Sequence, residues 1–314
     1  MKTLKNIILL GAALLLATVA EAQVVTQLAK ESTKIPKQEK NDRNSATDSP
    51  SAVPVEVNLD TTSTYFVMID SAQTAIGNKQ WNVAEKYLLR AIAEEPGNPS
   101  NSLLLSNLAT LQRYQGRFDD AIKNYTMALD LTPNAVTLLL NRAAVYVTVG
   151  NTPAAIADYN RVRELDGTDA ESRYSLGMLA VETHDFRQAE DLFNEIKRVN
   201  PTSALSEEGL GILAKAQGNY PAAIKHLSEV IKSRPDPRLL ANRADCYLVR
   251  KELNKAEEDI RNALDMDPDD GYLYVLRAKL NKLRFAREDV ERDINLAVEH
   301  GVDRKVVNSL LQQE

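Results

Sequence analysis

Cysteine is nearly missing from this chain: Cys246 is the only one in 314 residues. It cannot form a disulfide within the chain. A nucleophilic thiol would want a base beside it, and the nearest histidine in sequence, His226, is twenty residues away. There are three histidines in all, His184, His226 and His300. No His-Glu-x-x-His, Cys-x-x-Cys or alternating carboxylate loop is present, which leaves no sequence basis for a zinc or calcium site. The acidic Asp267-Pro-Asp-Asp270 lacks the alternation and closing Glu of a calcium loop, and reads as a helix stop followed by a helix start. Phosphate-loop and nucleophile-elbow glycine patterns are also lacking, so no enzyme class is indicated and no cofactor is expected. Positive charge is not in excess: 38 Lys and Arg stand against 44 Asp and Glu, a net charge of −6. Without a basic stripe, nucleic acid and anionic lipid surfaces are poor partners. Aromatics make up 5%, with one Trp and five Phe. After residue 20 no long apolar run occurs, which excludes a membrane-spanning helix there.

What the chain does have is a repeat. Superposing Gly116-Arg-Phe-Asp-Asp-Ala121, His184-Asp-Phe-Arg-Gln-Ala189 and Gly218-Asn-Tyr-Pro-Ala-Ala223 sets units starting near 65, 102, 136, 170, 204, 237 and 271. Position 8 of the unit holds Ala72, Ala109, Ala143, Gly177, Gly211, Ala244 and Ala278. Position 20 holds Ala in the first six units and Val290 in the seventh. Pro96, Pro133, Pro201, Pro235 and Pro268 stand at position 32. Rings recur at position 17 (Trp81, Phe118, Phe186, Tyr220) and at position 24 (Tyr125, Tyr159, Phe193).

These regularities describe an antiparallel helical hairpin. Small residues at 8 and 20 allow two helices to cross at close range, and the ring at 17 is expected to fill the space they leave. Gly116, Gly150 and Gly218, near position 15, suit a left-handed helix end, where a missing Cβ removes the steric cost. His184 takes the same place in unit four and is expected to end its helix. Proline at 32 stops the second helix, because it has no amide hydrogen and clashes with the preceding turn. One hairpin cannot bury its own apolar face, so stability must come from stacking on neighbours.

The pattern resembles the tetratricopeptide repeat family over 65–302. Leu108-Ala109, Leu176-Gly177, Leu210-Gly211, Tyr146 and Tyr247 fit the family's motif, whereas Gln112, Asn281, Thr152, Leu253, Val162, Ile196 and Val230 depart from it. The resemblance implies an all-α fold: an α-solenoid of about seven helix–turn–helix repeats. A C-terminal capping helix over 303–314 is read from the sequence, because Val306, Val307, Leu310 and Leu311 share one face and can cover the edge of unit seven.

Met1 to Ala22 carries Lys2 and Lys5, a short apolar run and Ala20-Glu-Ala22, the arrangement of a secretory signal peptide. Export to a periplasmic or extracellular site is expected, with no integral membrane segment left after cleavage. Residues 23–60 are polar, mixed in charge and free of aromatics, and read as a disordered linker; Val53-Pro-Val-Glu-Val57 within it is expected to pack loosely on the first helix.

In this family first helices line a groove through positions 2, 5, 6, 9, 12 and 13. Carried over, these implicate Leu103, Ser106, Asn107, Thr110, Arg113 and Tyr114 in unit two, and Asn141 and Ala144 in unit three. Tyr174 and Met178 follow, then Glu208, Ile212 and Lys215, then Arg238, Asn242 and Asp245, and finally Tyr272, Lys279 and Lys282. The resulting expectation is an apolar and aromatic middle, asparagines one repeat apart, and basic groups towards the last two units. That suits an extended peptide, whose backbone pairs with Asn side chains. Asn107, Asn141 and Asn242 could equally bond across to a neighbouring helix, while Arg142 and Arg243 are expected to contact the preceding unit. Some family members grip a C-terminal carboxylate with Lys and Asn in a first unit, Asn in a second, and Lys and Arg in a third. Here unit one offers Ile69 and Gln73, unit two Ser106 and Thr110, unit three Thr137 and Asn141, and unit four Glu171 and Ser175, so that grip is not expected. The function expected is a non-enzymatic scaffold or assembly factor that binds a protein or peptide. The alternatives are a self-associating structural protein and a regulatory subunit of a separate enzyme.

Overall fold

The computed structural model describes residues 63–312. The expected signal peptide, the 23–60 linker and Val53–Val57 lie outside the described residues. Among those described there are fifteen α-helices and no strand. In chain order they are α1 (Thr64–Gly77), α2 (Trp81–Glu94), α3 (Asn101–Tyr114), α4 (Phe118–Leu131), α5 (Val136–Thr148), α6 (Thr152–Leu165), α7 (Ala170–Glu182) and α8 (Phe186–Val199). Then come α9 (Leu205–Ala216), α10 (Tyr220–Ser233), α11 (Pro237–Val249), α12 (Leu253–Met266), α13 (Gly271–Leu283), α14 (Arg287–Glu299) and α15 (Arg304–Gln312). They fall into two compact bodies, 63–149 with α1–α5 and 150–312 with α6–α15. Each is a stack of antiparallel helices.

Helix starts follow local chemistry. Ser63, Asn151, Asp169, Asp185, Asn219, Asp236 and Asp270 each accept a hydrogen bond from a backbone N–H of the first turn, meeting a donor with no partner inside the helix. The prolines at position 32 lie two residues beyond helix ends at Glu94, Leu131, Val199, Ser233 and Met266. Position 15 is left-handed in every unit: Gly116, Gly150 and Gly218 have φ of 73°, 76° and 75°, and Lys79, His184, Lys251 and Phe285 have 57°, 62°, 59° and 62°. His184 thus ends its helix in the glycine conformation.

The packing differs from expectation in one respect. Position 17 rings are only partly buried, whereas all seven position 24 side chains (Leu88, Tyr125, Tyr159, Phe193, Leu227, Ile260, Ile294) are in the core. It is position 24 that fills the gap left by the small residues. A Cβ on Gly177 would lie 2.4 Å from Phe193 Cε1, and one on Gly209 would lie 2.3 Å from Phe193 Cδ1, so this ring is gripped by two glycines. Gly211 likewise admits Leu227. The side chain at 24 sits inside its hairpin and the one at 17 at its rim, and spacing alone does not separate the two.

Arg142 donates to Thr126 Oγ1 at 3.0 Å, and Arg243 donates to Ser228 Oγ at 2.9 Å, each reaching the second helix of the preceding unit. At the C-terminal edge α15 buries Val307, Leu310 and Leu311 against Val275, Ala278, Ile294 and Ala297. Lys282 Nζ donates to the Leu311 carbonyl, tying this helix to α13.

Candidate functional site

Positions 2, 5, 6, 9, 12 and 13 put one row of side chains on each first helix. In the 63–149 body that row belongs to α3 and α5. Asn107 and Asn141 are half-buried and their side chains take no hydrogen bond among the described residues. Leu103 is exposed, Arg113 lies 5.4 Å over the Tyr114 ring, and Tyr114 is at the outer end of the row. Two groove assignments fail. Thr110 is buried, with its hydroxyl 2.8 Å from Tyr125 Oη, and Ala144 is buried too. Position 9 in unit two is spent on satisfying the core tyrosine, whose hydroxyl could not otherwise be buried at low cost.

In the 150–312 body the first helices α7, α9, α11 and α13 lie side by side, joined through their rows. Tyr174 Oη donates to Glu208 Oε1 at 2.9 Å, and Arg234 donates to the other oxygen of Glu208 at 2.5 Å. Glu208, expected in the open row, is 3% exposed and serves as this junction. Burial, then the neighbouring Glu208 charge, drives the Tyr174 hydroxyl well above its ordinary pKa, so it remains a donor. Further along, Lys215 Nζ meets Asp245 at 2.8 Å and Asn242 Oδ1 at 3.0 Å, while Lys279 meets Asp245 at 3.4 Å. Burial alone would raise the Asp245 carboxyl, but Lys215 and Lys279 override it and hold the group at about 2. Burial also opposes charge on Lys215, and Asp245 more than restores it. Asn242 Nδ2 donates to the Arg238 carbonyl at 2.9 Å. Met178 and Ile212 are half-buried in the same rows, with Met178 and Tyr174 both packed against the core around Phe193.

The expected basic end of the groove is therefore neutralised. Arg238 pairs with Asp236, Lys215 and Lys279 share Asp245, and Lys282 is held by a carbonyl. Bonding across to a neighbouring helix is realised at Asn242 and not at Asn107 or Asn141. Sequence reading placed Glu208 and Asp245 in the row without their bonds, and passed over Asp236. A usable signal was present: Tyr174 and Glu208 are both position 5 of successive units, and Asp245 and Lys279 both position 9, so each pair must meet when first helices align.

Cys246 is fully buried, and desolvation pushes its thiol up to about 11, which leaves it protonated at neutral pH. Among the described residues no group of three or more His, Cys, Asp or Glu could hold a metal ion. No described helix is long and apolar enough to cross a membrane.

Comparison with known proteins agrees with the geometry. The tetratricopeptide repeat family pattern matches residues 69–136, 106–170 and 208–271. The crystal structure of a tetratricopeptide repeat protein from Parabacteroides merdae shares 32% identity, with a TM-score of 0.68, over 79% of this chain and 97% of that one. The chain belongs to the tetratricopeptide repeat family. It is also similar to the Hsp70-Hsp90 organizing protein of Triticum aestivum, 28% identical over 48% of this chain and 32% of that protein. DnaJ homolog subfamily C member 3 of Gallus gallus is 29% identical over 57% of this chain and 38% of its own length. The chain thus spans about a third of the length of these curated relatives.

Proposed function

We propose that this protein is a non-enzymatic scaffold that binds extended protein segments along the first-helix rows of its bodies. The observation that carries the reading is the state of position 6 in units two and three. Asn107 and Asn141 keep donors and acceptors uncommitted on a half-buried face, ready for a peptide backbone. In the other body Tyr174, Met178 and Ile212 offer apolar surface in the same rows as fixed polar groups, which suits ligand side chains. Similarity to a protein named as an organizer of Hsp70 and Hsp90 supports a protein as ligand. It does not extend to a carboxylate grip, because Ile69, Gln73, Ser106, Thr110, Glu171 and Ser175 supply no cation. The Lys2/Lys5 and Ala20-Glu-Ala22 pattern supports action after export, in a periplasmic or extracellular setting.

Affinity capture from cell-envelope extract tests this, with the wild type beside a Tyr174→Ala, Asn141→Ala double variant whose helicity is checked by circular dichroism. The folded variant is expected to lose its partners. Equal recovery of every partner by a folded variant would move binding off both rows.

A further inference from the structure

We propose that the 150–312 body carries a second site, distinct from the first-helix face, which binds a phosphate-type oxyanion through Arg163 of α6 and Arg173 of α7. The starting point is an imbalance. Among the described residues, the buried side-chain polar atoms left without a hydrogen-bond partner are Arg163 Nε, Ser172 Oγ and Arg173 Nε. Buried donors are nearly always paired, so a concentration of unpaired ones marks a missing acceptor. Ser206, at the same repeat position as Ser172, does give its hydroxyl to a backbone carbonyl, that of Phe193, at 2.8 Å.

Both arginines line a cleft of about 450 Å³, together with Asn160 and Glu164. Arg173 is 4% exposed and pinned: its Nη1 donates to the Asp169 carbonyl at 2.5 Å and its Nη2 to the Gly167 carbonyl at 2.9 Å. Its conformation is therefore set before any ligand arrives, which lowers the ordering cost of binding. The one carboxylate both arginines reach is Glu195 of α8, and it serves Arg163 better than Arg173. Arg163 Nη2 stands 3.1 and 3.4 Å from its oxygens, and Arg173 Nε and Nη2 are each 3.4 Å away. Ion pairs elsewhere in this body, Arg243–Asp259 and Arg277–Asp293, close to 2.7 Å, the normal range for charge-assisted bonds. Two guanidinium groups sharing one carboxylate leave positive charge in excess and the buried Nε donor of each unspent. A second cleft, about 460 Å³, is also lined by Arg163 and adds Arg187 and Arg198 beside Asp185, Asp191 and Glu195. Two carboxylates oppose an anion in the first cleft: Glu195, shared by the two arginines, and Glu164 in the lining, which is itself paired with Arg161 at 2.8 Å. A tetrahedral oxyanion offers acceptors on several sides, so one guest can serve two guanidinium forks. Its source is either free phosphate or a phosphorylated side chain of a partner.

Isothermal calorimetry and thermal unfolding of the full chain, in sodium phosphate against sodium chloride of equal ionic strength, test the site. The wild type is expected to bind one phosphate and to melt higher in its presence. Arg163→Gln should weaken binding at least tenfold, and Arg163→Lys should fall between the two because it keeps charge without the fork. Glu195→Gln should bind several-fold tighter, since the competing carboxylate is gone. Phosphoserine amide bound as well as phosphate supports a phosphorylated partner, and phosphate bound alone supports the free ion. No phosphate-specific effect in either the wild type or Glu195→Gln overturns the proposal, leaving water as the partner of these donors. Equal affinity for acetate, or unchanged binding by folded Arg163→Gln, also overturns it. None of these variants touches the first-helix face, so partner capture there stands or falls separately.

Discussion

The two bodies use the same repeat positions to opposite ends. In 63–149 the asparagines at position 6 are left unbonded, and the polar groups that are engaged, such as Thr110, point inward to serve the core. In 150–312 the same row is tied together: Asn242 is held by Lys215 and by the Arg238 carbonyl, Asp245 by two lysines, and Glu208 by Tyr174 and Arg234. A polar residue at a family binding position is thus no measure of a free binding group. Its availability depends on what the next repeat places opposite.

This contrast can be sharpened by mutation. Asp245→Asn should have the largest effect, because it leaves Lys215 and Lys279 facing each other in a half-buried setting. A loss of about 3 kcal/mol in denaturant unfolding at pH 7 is expected. The folded Asp245 carboxyl lies at about 2, below its unfolded value near 3.9, so its contribution is fully present above about pH 4 and fades as pH falls through 2. The gap between wild type and variant should therefore close by about pH 2; a gap that persists there would show that Asp245 acts by packing alone. Gly177→Ala comes next. Helix propensity would favour alanine by about 1 kcal/mol, but the new methyl meets the Phe193 ring, and a net loss of about 1 to 3 kcal/mol should result. Adding Phe193→Leu should recover part of it. Asn242→Ala should lose about 1 kcal/mol with its two hydrogen bonds. Smallest of all, Asn107→Ala and Asn141→Ala should shift stability by less than about 0.5 kcal/mol while reducing partner retention. If Asn141→Ala costs as much as Asn242→Ala, the distinction between the two faces is lost.

Much of the fold was legible because it is written in periodic small residues and prolines. First helices begin at Thr64, Asn101, Val136, Ala170, Leu205, Pro237 and Gly271, within one residue of the repeat starts. The capping face of Val307, Leu310 and Leu311 could be read from four-residue spacing. Less could be read where the answer depends on what an adjacent hairpin presents. Whether position 17 or 24 enters the gap at Gly177 depends on helix rotation, not composition. Whether Lys279 is a free cation depends on Asp245 one repeat earlier. Nothing local to Arg163 or Arg173 shows that the two must share the single carboxylate of Glu195.

The left-handed turns amount to an unused margin against heat. Lys79, His184, Lys251 and Phe285 adopt a backbone that disfavours any side chain by about 1 to 2 kcal/mol, while glycine there gives back roughly 0.5 to 1 kcal/mol through a looser unfolded chain. An engineer could exchange all four and gain a few degrees of melting temperature without altering either the first-helix rows or the arginine cleft. Phe285 would be the first choice, since its ring is 91% exposed and its removal would also make the protein less adhesive at high concentration.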